Sequence, residues 1–510
     1  MKSVKSLILG SAAAIVAMSG AQAADLPVKA KAVEYVRICS LYGAGFYYIP
    51  GSDTCIKLGG YLRAEVAVNT NSVYTGNTSG AGGANNRLTN AYTWRSREDL
   101  NIDTRTATEY GVVRTFFDAT FTWTSGGYAG SGTTAYDANN PAGTGSGQVA
   151  GGALGVYYAF IQFAGFTMGK AISPFSAPWI NYPGNNFDGL VGGGGTVTGV
   201  NQFTYDWQFG NGVSATVAAQ DPSAYYQAGL NNLGAPGVFG YGGSDFAGTY
   251  SPDFIGKITV DQAWGLFQAS VALHDNHAGY YTGIGEPSGH PDDKWGWAGQ
   301  LALSIKNIPT GPGDVINVQG VYTDGATRYN IQDLAGSAGA NTVYGGTGLA
   351  GAYQSIGIGF APDSVFAPGG SQQLVQTWGM RGAFNHNWNP YWSSAIYGAY
   401  AAVSYNDTSK ALMCGVGGVG GTVRAALTAG GGFLTSCNPD YNIAQIGAIT
   451  RWTPVKNLTF SADFVYTNID QKYAGVTAAG ANAGIGKPAA FYELKDQNTY
   501  QLLLRAQRNW

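Results

Sequence analysis

Charged residues are scarce in this sequence of 510 residues. Asp, Glu, Lys and Arg make up 11% of the chain, whereas Phe, Trp and Tyr make up 13%. Beyond the N-terminal region, no run approaches the ~20 apolar residues that a transmembrane helix needs. Low charge with a mean hydropathy of −0.06 excludes both a disordered chain and a helical membrane protein. A barrel with an apolar outside and a polar inside gives such an average, because its two faces cancel.

Basic residues and histidines are also few, which excludes two classes of function. The chain has 27 Lys and Arg against 30 Asp and Glu, and only four His. An acidic chain lacks the basic surface that nucleic acid requires. No nucleophile–base arrangement of an enzyme is visible in the sequence. We therefore predict a protein that is not an enzyme, uses no metal or cofactor and binds no nucleic acid.

The N-terminus has the three parts of a bacterial secretory signal peptide. Two lysines precede an apolar run over 7–18, and small residues end at Ala23. The run is too short to cross a bilayer, which disfavours the alternative of an uncleaved membrane anchor. We expect 1–23 to be removed by cleavage between Ala23 and Ala24. Basic residues then fall to 25 against 30 acidic ones, a net charge of −5.

Strict alternation of apolar and polar residues is the main pattern of the remaining chain. Near the C-terminus, Tyr500, Leu502 and Leu504 alternate with polar neighbours, and the chain ends in Trp510. Such alternation is typical of a strand with two unlike faces. The polar faces hold Thr, Ser, Asn, Gln and Tyr rather than the Lys and Glu of a soluble sandwich. Strands of about ten residues with this pattern indicate a transmembrane β-barrel.

Sixteen such strands can be counted, an even number, as a closed antiparallel barrel of this class requires. Short turns alternate with long loops rich in Gly, Ser and Asn, which fits periplasmic turns and external loops. We predict an N-terminal periplasmic segment over 24–54 and an all-β barrel domain over 55–510. The predicted strands are 55–69, 91–105, 110–124, 153–164, 166–173, 201–210, 213–220, 253–263, 266–275, 294–306, 314–324, 373–387, 391–405, 441–453, 458–469 and 496–510.

The alternation at the C-terminus explains why the chain ends in an aromatic residue. The apolar face of the last strand meets lipid, and Trp510 lies at the bilayer interface, where aromatic rings are favoured. The last strand pairs with the first, so that no sheet edge is left unpaired in hydrocarbon. The terminus is therefore expected to be ordered, because it closes the barrel.

Three segments resemble the alphaproteobacterial general porin family, the major outer-membrane porins of Brucella, Bradyrhizobium and other rhizobia. They are ADLPVKAKAVEYVRICSLYGAGFYYIPGSDTCIKLGGYLRAEV (24–66), TWRSREDLNIDTRTATEYGVVRT (93–115) and the ending LLRAQRNW. The resemblance spans the mature chain. It implies a homotrimer of sixteen-stranded barrels in the outer membrane, with the third long loop folded into the lumen as a constriction.

The same resemblance implies the function and the partners. Such a protein is a passive, water-filled channel for small hydrophilic solutes and ions, and it contacts outer-membrane lipid and lipopolysaccharide. The barrel-assembly machinery recognises a terminal aromatic residue. Porins of this family more usually end in Phe, so Trp510 implies an assembly signal of lower efficiency.

Period-two phasing assigns most charged residues of the first three strands to the inner wall. A charge on the lipid face at mid-depth costs a few kcal/mol, roughly 2–4 for Lys or Arg, which favours the inward assignment. Glu98 is the exception and falls on the outer face. We expect the inward arginines to act on permeating ions, because charges that face the lumen do so even when they are paired. The alternative is that they only form structural ion pairs with Asp99, Asp103 and Asp118. The predicted pore-lining residues are Arg63, Arg95, Arg97, Arg114, Asp99, Asp118 and, on the constriction loop, Asp188.

The long segment over 174–200 is the predicted constriction loop. Its three prolines argue against a strand, and Asp188 is its only charge. The resemblance implies that acids on this loop face arginines on the wall and set up a transverse field. Charged rings and pore diameter are general determinants of channel selectivity.

The four cysteines are expected to form two disulfides, because an exported bacterial chain reaches an oxidising periplasm. Four cysteines allow three pairings. Cys39 and Cys55 precede the first strand, whereas Cys414 and Cys437 share one external loop. The two pairs lie at opposite ends of the barrel, so only Cys39–Cys55 and Cys414–Cys437 are geometrically possible. Each would stabilise the fold by ~3 kcal/mol, and metal ligation is disfavoured because no histidine lies nearby.

A general diffusion porin is the function that the sequence favours. The alternative is a substrate-selective channel of the sugar type, for which the content of Tyr and Trp is the argument. Most of the aromatic residues phase outward, however, as expected for the girdles of a membrane barrel. A barrel enzyme and a closed adhesive barrel are two further possibilities, and neither predicts open ionic steps in a planar bilayer.

Overall fold

The computed structural model of this protein describes residues 37–70, 83–124, 153–235, 237–332, 342–415, 421–482 and 485–510. The predicted signal peptide 1–23, its cleavage site at Ala23 and Ala24, and the first part of the segment 24–54 lie outside the described residues. Neither α-helix in the described part of the chain is long and apolar enough to span a membrane.

Sixteen antiparallel strands form a closed barrel, which confirms the predicted fold class and strand count. Each strand pairs with its neighbours in the sequence, and the last pairs with the first. They are β1 (Cys55–Val68), β2 (Tyr92–Thr108), β3 (Gly111–Thr124), β4 (Ala153–Phe163), β5 (Phe166–Ala171), β6 (Val200–Gly210), β7 (Val213–Gln220), β8 (Asp253–Gln262), β9 (Gly265–Asn276), β10 (Lys294–Lys306), β11 (Val315–Asp324), β12 (Gln376–Asn389), β13 (Trp392–Ser404), β14 (Tyr441–Val455), β15 (Leu458–Gln471) and β16 (Gln497–Asn509).

The two faces of the barrel wall differ as the alternation predicts. On β2, Trp94 is 53% exposed on the outside, whereas its neighbour Arg95 is 7% exposed and faces inward. Leu62 on β1 and Phe121 on β3 are exposed on the same outer face. Large apolar side chains on an outer wall are the pattern of a barrel surrounded by lipid.

The seam between β1 and β16 closes the barrel. Tyr61 is paired with Asn509, and the ladder continues to Val68 opposite Leu502. Beyond the last strand, the N–H of Trp510 donates to the carbonyl of Gly60 at 3.1 Å, and the Gly60 N–H donates back at 3.3 Å. A Cβ at Gly60 would lie 1.9 Å from the carbonyl oxygen of Asp99, so only glycine fits there. The C-terminus is therefore fixed to the first strand.

The described part of the N-terminal segment folds at the end of the barrel with short turns. Tyr47–Tyr48 forms a short strand that pairs with the start of β1, and a 3₁₀ turn spans Ser40–Tyr42. The disulfide Cys39–Cys55 ties this segment to β1. The guanidinium carbon of Arg105 lies 4.8 Å from the centre of the Phe46 ring. The segment thus covers part of the barrel mouth at that end.

The long loops at the other end fold into an external layer, which the sequence predicts only as Gly-rich loops. Two helices, α1 (Asp407–Cys414) and α2 (Thr422–Thr428), belong to this layer, and the disulfide Cys414–Cys437 joins them to a short strand. Its first sheet contains Leu230–Asn232, Gly243–Ser244, Ser364–Phe366 and Gln373–Leu374, and its second contains Thr342–Gly345, Gln354–Ile358, Phe433–Ser436, Ala474–Ala479 and Ala490–Leu494. Short 3₁₀ turns span Val238–Gly240, Glu286–Ser288, Thr327–Tyr329 and Ala429–Gly431.

The main hydrophobic core lies under the external layer and extends from there into the barrel. Tyr241, Phe360 and Leu427 of the loops are buried in it. The inner face of β13 also belongs to it, through Tyr397 and Val403 and the alanines between them. The upper lumen along β13 is therefore packed with side chains instead of being open to water.

Candidate functional site

Residues 172–199, between β5 and β6, fold into the lumen, as predicted for the constriction loop 174–200. We call this segment the lumen loop. Phe175, Phe187 and Leu190 within it have no exposed surface. A loop can be buried only if its backbone polar groups find partners, and these partners come from the inner wall.

Arg381 on β12 is the main partner of the lumen loop. Its guanidinium donates to the carbonyls of Ile180 at 2.6 Å and Leu190 at 3.0 Å, and to the side chain of Asn181 at 3.0 Å. A fourth hydrogen bond, at 3.1 Å, goes to Gln319 on β11. Arg381 is 1% exposed. One side chain of the wall therefore holds two separate stretches of the loop.

A second group of contacts holds the tip of the loop against the last strands. The carboxylate of Asp463 on β15 accepts hydrogen bonds from the N–H groups of Asn186 at 2.5 Å and Phe187 at 3.3 Å. Arg451 on β14 donates to the carbonyl of Gly184 at 2.6 Å, and Arg505 on β16 donates to that of Asn186 at 3.2 Å. The tip thus docks on charged residues of three adjacent strands.

The glycine run at 192–195 permits a close approach of the loop to the wall. A Cβ at Gly193 would lie 1.9 Å from the Gln319 side chain, and one at Gly192 would lie 2.3 Å from the Met380 carbonyl oxygen. The N–H groups of both glycines donate to the carbonyl of Asn330, at 3.1 and 3.0 Å. The run is a packing requirement, which agrees with the absence of a phosphate-loop pattern around it.

The docked loop divides the lumen into two spaces. On one side, a cavity of about 670 Å³ lies between the loop and the wall from β3 to β9. We call it the main cavity. On the other side, a recess of about 590 Å³ opens towards the short-turn end and is lined by Arg63, Arg451, Arg505 and several asparagines. The loop stands against β9 to β16, so the wider passage lies along β3 to β9.

The four predicted arginines face the lumen; Arg63, Arg95 and Arg97 are neighbours on β1 and β2, whereas Arg114 lies apart from them. Arg95 pairs with Glu65, which also accepts from Arg505 at 2.7 Å. Arg63 donates to Gln507 on β16 at 2.9 Å. Arg97 donates to Thr122 on β3 at 2.9 Å. Arg114 lies nearer the short-turn end, where it pairs with Asp103 at 3.0 Å.

Asp99 and Asp118, two of the predicted acids, are held by an amide side chain and not by an arginine in an ion pair. Asp99 and Asp118 both accept hydrogen bonds from the amide of Asn101, at 2.8 and 3.2 Å. Asp118 is 6% exposed and Asp99 is 2% exposed on the inner wall. Of the three acids considered as arginine partners, Asp103 forms ion pairs, with Arg114 and also with Arg105. Asp188 accepts a hydrogen bond from Tyr182 within the lumen loop.

Sequence reasoning missed Arg381, Arg451 and Asp463, the residues that hold the loop. Period-two phasing places all three on the inner face, because the neighbours Met380 and Phe464 are exposed on the outside. The inward orientation of each of these side chains could therefore have been predicted from the sequence. Their partners on the loop could not be inferred, since the path of a segment without secondary structure is not periodic.

No metal centre is evident in the described ranges, where no group of three or more His, Cys, Asp and Glu side chains could hold a metal ion.

Comparisons with known proteins agree with this architecture. The model of the porin subfamily matches residues 25–503. Porin Omp2b of Brucella abortus (strain 2308) is 32% identical over 322 residues, which cover 59% of this chain and 79% of that protein.

Solved structures give a weaker similarity in sequence. The outer membrane channel DcaP of Acinetobacter baumannii has a TM-score of 0.54 at 16% identity, covering 91% of this chain and 99% of that one. OmpT of Vibrio cholerae, solved as a trimer, has a TM-score of 0.41 at 8% identity, covering 90% of this chain and 100% of that one. DcaP is similar in fold alone. Because the family match extends over nearly the whole chain, this protein belongs to the porin subfamily and is a general outer-membrane porin, a channel without enzymatic activity.

Proposed function

We propose that hydrophilic solutes and ions cross the barrel through the main cavity, between the lumen loop and the wall from β3 to β9. The docking of the loop against the opposite wall carries this proposal, because it leaves the main cavity on the other side of the loop, with polar side chains along the wall. Gln202, Asp206, Gln208 and Lys257 are among the side chains around that space. Pore size and the charges along the path are the properties that decide which solutes pass.

We infer that the porin works as a homotrimer, as the resemblance to general porins implies. Glu98 on β2 supports a subunit contact, since it lies on the outer face opposite Leu62 and Phe121. An acidic side chain in contact with lipid is unfavourable at mid-depth. A groove of about 580 Å³ that includes Glu98 and Ser96 lies on the same outer face. A neighbouring subunit over this groove would remove the carboxylate from lipid.

Purified protein in a planar lipid bilayer is therefore expected to give open ionic steps that appear in groups of three. Each group reports one inserted trimer, and dissociation by heating before reconstitution should abolish the grouping. Stable steps that occur singly would contradict the trimer, and a complete absence of steps would contradict the open path through the main cavity.

The arginines of β1 and β2 are proposed to act on permeating ions, in addition to their structural contacts. We expect the double change Arg63→Ser and Arg97→Ser to shift the reversal potential in a salt gradient towards cation selectivity. Neither arginine is among the residues that line the main cavity, so the effect acts through the electrostatic potential of the lumen: removing two positive charges from its wall lowers the local concentration of anions. Asp188→Asn should shift the potential in the opposite direction.

Arg508→Ser is the matched control for this measurement. Arg508 is an arginine on the short-turn rim, where it donates to the carbonyl of Lys456. Its removal changes the total charge but not the charge of the lumen. A reversal potential that is the same in the double variant as in the parent would leave the arginines with a structural role alone.

We also propose that the outer wall contacts outer-membrane lipid and lipopolysaccharide, and that the terminal strand is the signal for the barrel-assembly machinery. Trp94, Trp207, Trp295 and Trp378 are exposed on the outside, as expected for interfacial aromatic residues.

A substrate-selective channel of the sugar type is the second candidate function. One observation favours it, namely a set of aromatic side chains that face inward.

A further inference from the structure

Three aromatic side chains of β3 and β4 line the main cavity, contrary to the general outward phasing of such residues in this chain. Phe116 on β3 and Phe160 on β4 have ring centroids 5.4 Å apart and planes within 29° of each other. The ring centroid of Tyr158, which is also on β4, lies 6.2 Å from that of Phe116. All three are half-buried and line the main cavity. We call them the aromatic patch, and they offer ring faces on which another flat apolar surface can stack.

Arg114 holds this patch in place. Its guanidinium carbon lies 5.0 Å from the ring centre of Phe116 and 5.6 Å from that of Phe160. The guanidinium is fixed in turn by Asp103 at 3.0 Å and by the side-chain oxygen of Gln162 at 2.8 Å. A surface that is already ordered loses little conformational entropy when a solute binds to it.

The cavity wall further round the barrel is polar and has unused hydrogen-bonding capacity. The Lys257 amine on β8 interacts electrostatically with Asp206 and makes no hydrogen bond to any residue that the structure describes. One oxygen of Asp206 accepts from Thr216, which leaves the other oxygen free to accept. Gln208 is exposed to the same space. Donors and acceptors are therefore available within the cavity that the aromatic patch lines.

The lumen loop supplies the remaining side, with Pro174, Pro178 and Ile180 among the cavity-lining residues. The cavity thus has aromatic rings on one side, apolar loop side chains on another and polar groups between them. Its volume of about 670 Å³ lies within the roughly 300–1,000 Å³ that is usual for small-molecule sites.

We propose that the main cavity is a weak binding site for neutral pyranose sugars, which are held on the aromatic patch as they pass. A pyranose ring has a face of C–H groups and a rim of hydroxyls, and these two parts match the apolar and polar sides of the cavity. This proposal rests on the proposed permeation path and names a solute class for it. Binding in a channel must be weak enough to allow release on the far side, so the half-blocking concentration is expected in the millimolar range.

The test uses the trimer in a planar bilayer, with maltotriose added to one side while the ionic current is recorded. The sugar should reduce the current and increase its noise in a saturable manner. In the double variant Phe116→Ala and Phe160→Ala, the half-blocking concentration should rise by about tenfold, as the loss of aromatic stacking predicts. Phe117→Ala is the matched control, because Phe117 is the adjacent residue on β3 and faces outward with 37% of its surface exposed.

A second variant, Lys257→Gln, tests the polar side without removing any packed ring. It should raise the half-blocking concentration several-fold while open steps persist. Open steps that maltotriose does not alter would overturn the sugar site and leave the porin function intact. The sugar site is also overturned if the aromatic double variant is blocked as strongly as the parent, or if benzoate, an aromatic anion without hydroxyls, blocks at lower concentrations than maltotriose. Loss of all steps in the parent would instead contradict the permeation path.

Discussion

Replacing Arg381 with methionine is expected to undock the lumen loop and make the open-channel current noisy and variable between molecules. The change leaves two buried loop carbonyls and the Asn181 side chain without their donor. Each buried acceptor that loses its donor costs roughly 1–3 kcal/mol, and a loss of about 3 kcal/mol already raises the undocked fraction by about 10²-fold. Because the loop defines one side of the main cavity, its movement changes the cross-section of the path. Single-channel recording of noise and step height measures the effect.

Arg97→Met is the matched control for this variant. It removes the same charge from the inner wall, but Arg97 donates to Thr122 on a neighbouring strand and not to the loop. It should change ion selectivity without adding noise. Arg381→Lys should lie between the two, since an ammonium keeps the charge but lacks the planar fork that reaches several acceptors. A quiet current of parental step height in Arg381→Met would show that the loop is held without this residue.

Replacing Trp510 with serine is expected to lower the amount of folded protein in the outer membrane by about tenfold, with export to the periplasm unchanged. The Trp510 ring is 52% exposed on the outer wall and lies close to Gly60. Covering an aromatic ring of this kind contributes on the order of 1.5–3 kcal/mol, and about 1.4 kcal/mol is a factor of ten. The change also removes the terminal aromatic residue that the assembly machinery is proposed to recognise. Membrane fractionation and heat-modifiability on gels measure both steps.

Two further variants separate the ring from the rest of the strand. Trp510→Phe should be neutral or slightly better than the parent, because it keeps an aromatic end. Leu504→Asn should behave like Trp510→Ser, since Leu504 is exposed on the lipid face and an amide there has no partner. Normal insertion of Trp510→Ser would mean that strand pairing alone fixes this end of the chain.

The barrel was predictable because two solvents impose one rule on every strand. Along β15, the exposed Phe460 and Phe464 alternate with the buried Asp463 and Val465, and the same rule recurs in sequence regions that share no motif. Lipid outside and water or polar loops inside enforce the period of two. The pairing of the cysteines followed from the same topology, because it separates the two ends of the barrel.

The interior of the lumen was less predictable, for a physical reason that Arg381 illustrates. Its inward direction follows from the period of β12. Its partners are backbone carbonyls of a segment that has no period, and every residue type has such carbonyls. The aromatic patch was not predicted, for another reason. Phe116 and Phe117 are adjacent in the sequence, and only the alternation along β3 shows that Phe116 is the one that faces inward.

The external layer left one trace in the sequence. The inner face of β13 carries Tyr397, Ala399, Ala401 and Val403, with no charged or amide side chain among them. A water-filled lumen would not favour such a face, so this run indicates that the barrel is packed at that level. Gly-rich loops gave no matching signal, because their short strands pair with partners far away in the sequence.

The core under the external layer is formed by removing apolar side chains from water, whereas the outer barrel wall turns its apolar side chains to lipid. The hydrophobic stabilisation of such a core weakens on cooling. The outer face of the barrel wall stays in hydrocarbon and is not stabilised by removal from water in the same way. Temperature therefore acts on the two parts of this chain through different physics.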